Sequence, residues 1–331
     1  MLMTTVLAED YGPPHTLQVI EAPVPQPGPG QIQVRIAAAS VNPGELRLLA
    51  GEVRDLVPMT FPFIPGLDFA GTVTETGAGV ERFAIGEEVF GWAAPRGFPW
   101  AADLAVPPSF STGTMAEYAV FEADSPALAH RPDGLSVEEA AAMPTTGLTA
   151  WEIARQARLR TGQTALVIGA TGGVGTILVP LLASTGARVL ATASAADREH
   201  MLRLGADETI DHTRVNTITQ ALRLAPHGVD VLIDLILPSA YLPDTAGAAA
   251  PGGRIVTVSG RYAEAVPGRE DLAVTAATTR TEPGDLEELA RRVLSAQVPI
   301  TICRQYTLDN APQAYSDLSG KHTLGKLVIT V

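Results

Sequence analysis

Four glycines fall within seven positions, at 169, 172, 173 and 175, in the run ValIleGlyAlaThrGlyGlyValGlyThrIleLeuVal (167–179). Glycine lets a backbone take positive φ and lets a phosphate approach without meeting a Cβ. The residues before the run read as a strand and those after it as a helix. A helix opening there would aim free N–H groups and partial positive charge at an anion. The chemistry on offer is a cradle for the pyrophosphate of a dinucleotide, with Gly172, Gly173 and Val174 facing it. The spacing is looser than Gly-x-Gly-x-x-Gly, and a turn that only permits close helix–strand packing is the other reading.

Which dinucleotide it would be depends on the end of the next strand, where an acid usually holds the ribose hydroxyls of NAD. Here ArgValLeuAlaThrAla (188–193) runs into Ser194, then AlaAlaAspArg. A hydroxyl at Ser194 and a guanidinium at Arg198 suit a 2′-phosphate, so these residues favour NADPH. In the plainer reading Ser194 caps a helix, Asp197 supports its first turn and Arg198 is a solvated charge. Asp197 would serve NAD if the loop turned differently.

Composition narrows the rest. A net charge of −13 argues against nucleic acid or an anionic membrane as partner. The one cysteine, Cys303, excludes an intramolecular disulfide framework and a cysteine-rich zinc lobe. It sits in a strand-like stretch and is expected to be a buried structural thiol of a cytoplasmic protein. The N-terminal residues lack the basic and apolar regions of a signal peptide. No apolar run approaches the roughly 20 residues that span a bilayer.

At 331 residues, two domains are expected. Up to residue 125, short β-like runs alternate with Pro and Gly breaks, the texture of an irregular β-rich domain. Residues 93–112 read as a long surface loop, and around 92–112 Trp92, Phe98 and Trp100 could wall a site for a planar substrate, ordinary packing being the plainer reading. Ser136 with Glu139 forms a capping-box signature, and Pro144 limits the helix it opens. A second helix is expected from about Thr149. Apolar strands then alternate with helices through 165–169, 188–192, 229–236 and 254–258, without two-fold alternation, as in a parallel sheet covered on both faces. This is a doubly wound α/β pattern. From about 297 the β-like texture returns, with a short helix near 309–319.

Several stretches together resemble the quinone oxidoreductase branch of the medium-chain dehydrogenase/reductase superfamily. They are SerValAsnProGly (40–44), PheIleProGlyLeuAspPheAlaGlyThrVal (63–73), MetAlaGluTyrAlaVal (115–120) and AlaAlaMetProThrThrGlyLeuThrAlaTrp (141–151). The glycine turn, ProGlyGlyArgIleVal (251–256) and GlyLysLeuValIle (325–329) complete the series over nearly the whole chain.

The resemblance implies a GroES-like β-rich catalytic domain (1–125 and 297–331) and a Rossmann NADP-binding domain (126–296), with substrate and nicotinamide in the cleft between them. It implies NADPH-dependent reduction of a quinone or an α,β-unsaturated carbonyl by a homodimer. His212 would lie at the adenosine end, Thr146, Thr149 and Gly260 near the nicotinamide, and Asn42 and Lys326 at the active-site end. Asn42 is the candidate for meeting enolate charge, a turn former in its plainer reading. Glu45 or water would supply the proton.

The superfamily's zinc enzymes place a Cys at the position of Asn42 and a His at that of Leu67, so no metal is expected. The Tyr-x-x-x-Lys pair of short-chain dehydrogenases is missing, since none of the six tyrosines has Lys four residues on. A nucleotide-binding sensor without turnover and a tailoring enoyl reductase for a thioester substrate are the rival readings.

Overall fold

The computed structural model describes residues 1–55, 59–93, 113–236, 242–258, 265–277, 279 and 281–331. The chain opens with β1 (Leu2–Leu7), β2 (Gln18–Pro23), β3 (Gln31–Ser40), α1 (Pro43–Leu49), β4 (Asp68–Thr76), β5 (Glu88–Trp92), β6 (Tyr118–Glu122) and β7 (Leu128–His130). Two helices follow, α2 (Val137–Ala142) and α3 (Pro144–Ala157). The alternating stretch is β8 (Thr164–Ile168), α4 (Gly173–Ala183), β9 (Arg188–Thr192), α5 (Arg198–Arg203), β10 (Glu208–Ile210), α6 (Thr217–Leu224) and β11 (Val229–Asp234). It continues through α7 (Leu242–Thr245), β12 (Ala249–Thr257) and β13 (Ala273–Ala276). The tail holds α8 (Asp285–Leu294), β14 (Ile302–Thr307), α9 (Ala311–Gly320) and β15 (Lys326–Thr330).

The chain divides into two compact units, Met1–Thr145 with Thr281–Leu294 and Ile302–Val331, and Thr146–Arg280 with Ser295–Thr301. The first unit holds a seven-stranded sheet ordered β14-β15-β3-β4-β5-β7, with β6 also on β3, beside the β1–β2 hairpin. It runs past the expected boundary at 125 because α2 packs on β3, β4 and β15. It also includes α8, which packs on β7. Strands β3 and β4 are long enough to bury Ile32, Val34, Ile36, Phe69 and Val73 in one core, where Phe69 stacks on Phe121 at 3.9 Å between ring centroids.

The second unit is a six-stranded parallel sheet ordered β10-β9-β8-β11-β12-β13. Along β8, Ala165 and Val167 enter one apolar cluster, while Leu166 and Ile168 enter another. A strand covered on both faces has no polar side to show, which is why its sequence reads as an unbroken apolar run. The doubly wound expectation is met. Order reverses between β8 and β11, the switch point beside which ligands bind in such sheets.

Two local expectations need correction. The second helix starts at Pro144, not near Thr149: proline lacks only an N–H that a first helical turn leaves unused, so it ends α2 and opens α3. Cys303 is exposed, not buried. Its strand β14 lies at the edge of the sheet and buries little, despite the apolar look of ProIleThrIleCys.

Candidate functional site

In the second unit, β8 delivers Gly169 at φ +81, and α4 begins after Gly172 as N-cap. The Gly169 N–H donates to Thr192 Oγ1 at 2.9 Å, fixing the turn beside the end of β9. Added to Gly175, a Cβ would stand 2.3 Å from the Ala170 carbonyl oxygen; at Gly172 it would meet only Gly169 O, at 3.5 Å. Gly175 is therefore required by packing, whereas Gly172 keeps open space in front of the helix. The half-buried Gly173 and Val174 start α4 and have no intrahelical acceptor for their N–H groups. An anion fits this cradle, and the residues present suit a dinucleotide pyrophosphate.

Past β9, Ser194 Oγ donates to Asp197 Oδ2 at 2.6 Å. The Ser194 carbonyl accepts the N–H groups of Asp197 and Arg198, both at 3.1 Å, closing the turn into α5. Asp197 is 7% exposed, whereas Arg198 is exposed and its side chain makes no hydrogen bond or ion pair among the described residues. His212 is exposed on the turn after β10. Thr146 and Thr149 are buried on α3, with Thr149 Oγ1 2.7 Å from Thr279 Oγ1. Gly260, Phe98 and Trp100 lie outside the described residues, as does the expected loop from residue 94 to 112. Trp92 is the buried last residue of β5.

In the first unit, sheet register assembles a second constellation. Ser40 pairs with Asp68 between β3 and β4, and Val328 pairs with Ser40 between β15 and β3. Continuing that antiparallel register by two residues sets Lys326 opposite Asn42. Lys326 Nζ donates to Asn42 Oδ1 at 2.6 Å and to the Val41 carbonyl at 2.9 Å, and lies 3.5 Å from Asp68 Oδ2. Asn42 is the N-cap of α1, yet its side chain does not cap the backbone. Its Nδ2 donates to Glu45 Oε1 and to Asp68 Oδ2, both at 2.9 Å.

The cluster extends further on either side. Asp68 also accepts from Ser40 Oγ at 3.0 Å, and from the Thr145 N–H and hydroxyl at 2.9 and 2.6 Å. The Tyr315 hydroxyl of α9 donates to Glu45 Oε2. Glu45, Asp68 and Lys326 are all at most 4% exposed. Burial pushes the Glu45 carboxyl up to about 7, against the lowering pull of hydrogen bonds from Tyr315 and Asn42. Burial also lowers the Lys326 ammonium, opposed by the charges of Asp68 and Glu45. Tyr315 rises well above the ordinary phenol range through burial and the neighbouring Glu45.

The structure thus brings Asn42 and Lys326 together, and it turns the Asn42 amide toward protein partners. Sequence reasoning missed Tyr315 and Asp68 as members of the cluster. Glu45, three residues after Asn42 on a helix start, carried a readable spacing; Tyr315 looked like any aromatic on an apolar helix face. At the position where zinc relatives carry a ligand, Leu67 packs against the core, and no group of three or more His, Cys, Asp or Glu able to hold a metal occurs among the described residues.

The family model for the alcohol dehydrogenase GroES-like domain matches residues 28–133, and that for zinc-binding dehydrogenase matches 204–329. The chloroplast envelope quinone oxidoreductase homolog of Arabidopsis thaliana is 35% identical over 202 residues, 59% of this chain and 56% of that relative. The alignment thus spans little more than half of that protein. A quinone oxidoreductase from Coxiella burnetii is 27% identical with full coverage of both chains and a TM-score of 0.85. An NAD-dependent alcohol dehydrogenase structure is 30% identical, covers 99% of this chain and 100% of its own, and gives a TM-score of 0.86. Matched in both units and along its whole length, the chain belongs to the quinone oxidoreductase branch of the medium-chain dehydrogenase/reductase superfamily, oxidoreductases that depend on pyridine nucleotides.

Proposed function

We propose that the chain is an NADPH-dependent reductase of quinones or α,β-unsaturated carbonyl compounds that works without zinc. The observation carrying this reading is the open space before the helix start at Gly172, where a Cβ would meet only Gly169 O, at 3.5 Å, at the switch point of a parallel sheet. Bound there, a reduced nicotinamide dinucleotide supplies the hydride. Gly172, Gly173 and Val174 would hold the pyrophosphate and Arg198 the 2′-phosphate; His212 would flank the adenosine, and Thr146, Thr149 and Gly260 the nicotinamide.

Support for zinc independence comes from the side chains in the first unit. Lys326 already donates to Asn42 and Leu67 offers no ligand atom, so the chemistry of an open metal site has no donor set there. The Asn42 amide spends its hydrogens on Glu45 and Asp68, so it acts on an acceptor's oxygen by reorienting one of them. With the carboxyl of Glu45 enclosed, solvent is the simpler source of the final proton.

NADH has one observation in its favour. The Ser194 hydroxyl is committed to Asp197, a carboxylate suited to a ribose hydroxyl and unsuited to a phosphate. Oxidation of NADPH and of NADH, followed with a small quinone and a small enone, tests the reading. Turnover with NADPH supports it, and binding without oxidation across the panel would favour a sensing protein. Gel filtration with light scattering tests the proposed homodimer, and fractionation of the native cell tests a cytoplasmic location.

A further inference from the structure

The buried cluster of the first unit encloses two carboxyl groups and one ammonium: Glu45 from α1, Asp68 from β4 and Lys326 from β15. With all three ionised it would carry net negative charge in a space shut off from water, which is costly. The ammonium lies within 3.5 Å of Asp68, and Asp68 also takes hydrogen bonds from Ser40, Asn42 and Thr145. Among the described residues Glu45 has no cation at hydrogen-bond distance; it accepts from Asn42 and from Tyr315 of α9. The groups that face it with charge or a titratable proton are therefore Asp68, Lys326 and Tyr315. Of the two carboxyls, Glu45 is the one to carry a proton, and it remains half protonated at a pH of about 7.

Both Glu45 oxygens are occupied by protein partners and the side chain is buried, which sets it apart from an acid that touches the acceptor. Its effect on the reaction runs through Asn42. Reduction of a conjugated carbonyl gathers negative charge on the acceptor's oxygen, and a net anion close by opposes this. We propose that Glu45 is a positioning residue for the reduction: as a neutral acid it leaves the cluster without net charge and holds the Asn42 amide, and its ionisation slows hydride transfer. This inference rests on the reductase reading above.

The test is the pH profile of kcat for wild type, Glu45→Ala and Glu45→Gln, with an infrared titration of the same proteins. Wild-type kcat falls about tenfold per pH unit above the midpoint. Glu45→Ala loses about tenfold or more even at low pH. Glu45→Gln, uncharged and of the same shape as the neutral acid, with an amide oxygen that still accepts from Asn42, restores most of that rate and makes the profile flat. In the infrared, wild type shows a protonated-carboxyl band that fades as pH rises and is missing from Glu45→Gln. A Glu45→Gln enzyme that keeps the wild-type fall, or a carboxyl already ionised on the acid side of neutrality, overturns the proposal. Failure of wild type to reduce any acceptor overturns the reductase reading instead, and the infrared titration still reports on Glu45 without turnover.

Discussion

The Lys326 ammonium donates to Asn42 Oδ1 at 2.6 Å, across 284 positions of sequence. That bond sets the direction of the Asn42 amide. With its oxygen on the lysine, its hydrogens must point to Glu45 and Asp68, where the structure has them. One cation from the last strand thereby orders a group at the start of α1.

Removing that cation leaves Asp68 buried without its ion-pair partner. Lys326→Met should destabilise the protein by about 3–5 kcal/mol, the usual consequence of breaking a buried pair from one side. Urea unfolding measures it. A loss below about 1 kcal/mol would mean that the hydrogen bonds to Asp68 suffice by themselves.

Glu45 makes stability depend on pH in a defined direction. Its folded value of about 7 lies above the ordinary 4.5, so the folded state binds more protons than the unfolded one between those limits. The contribution is greatest below about 4.5, declines as pH rises toward 7 and is flat beyond. It amounts to about 3 kcal/mol for a shift of this size. Unfolding free energies of wild type minus those of Glu45→Gln isolate it, and a difference that grows with pH has the wrong sign.

Two glycines three residues apart should respond differently to alanine. At Gly175 the Cβ would lie 2.3 Å from Ala170 O, so Gly175→Ala should cost about 1–3 kcal/mol or more in stability. At Gly172 the Cβ has room, so Gly172→Ala should leave the melting temperature nearly unchanged. It should weaken dinucleotide binding about tenfold by standing where the pyrophosphate approaches. Calorimetric titration beside thermal melts separates the two, and equal effects on stability would contradict the cradle.

The proposed coenzyme preference rests on a carboxylate and a guanidinium next to each other in sequence, Asp197 and Arg198. Arg198→Ala should reduce NADPH affinity about tenfold and leave NADH nearly unaffected. Asp197→Asn should shift preference toward NADPH by removing the negative charge that Ser194 now binds. Dissociation constants for both coenzymes check this, and an unchanged ratio in both variants would place the 2′ group elsewhere.

Much of the second unit was legible because its signals are local. Unbroken apolar strands and glycines at a strand–helix junction each depend on neighbours in sequence, as does the capping box realised in the first unit at Ser136 and Glu139. Pro144 was read as a stop when it is also a start, and Cys303 as buried because edge and centre strands share an alphabet. The buried cluster was only half visible. Asn42 and Glu45 sit three apart, but Tyr315 and Lys326 reach them through sheet register and helix docking across some 270 residues or more. Nor could sequence show that the hydroxyl of Ser194 is turned toward Asp197.

The proposed reaction is hydride transfer from NADPH to a conjugated acceptor without a metal. It is tested most directly by following NADPH oxidation against quinone or enone reduction with protein whose metal content has been determined by elemental analysis. One acceptor should be reduced per NADPH consumed, at a rate indifferent to chelator. No oxidation of either coenzyme, or activity that tracks stoichiometric zinc, would contradict it.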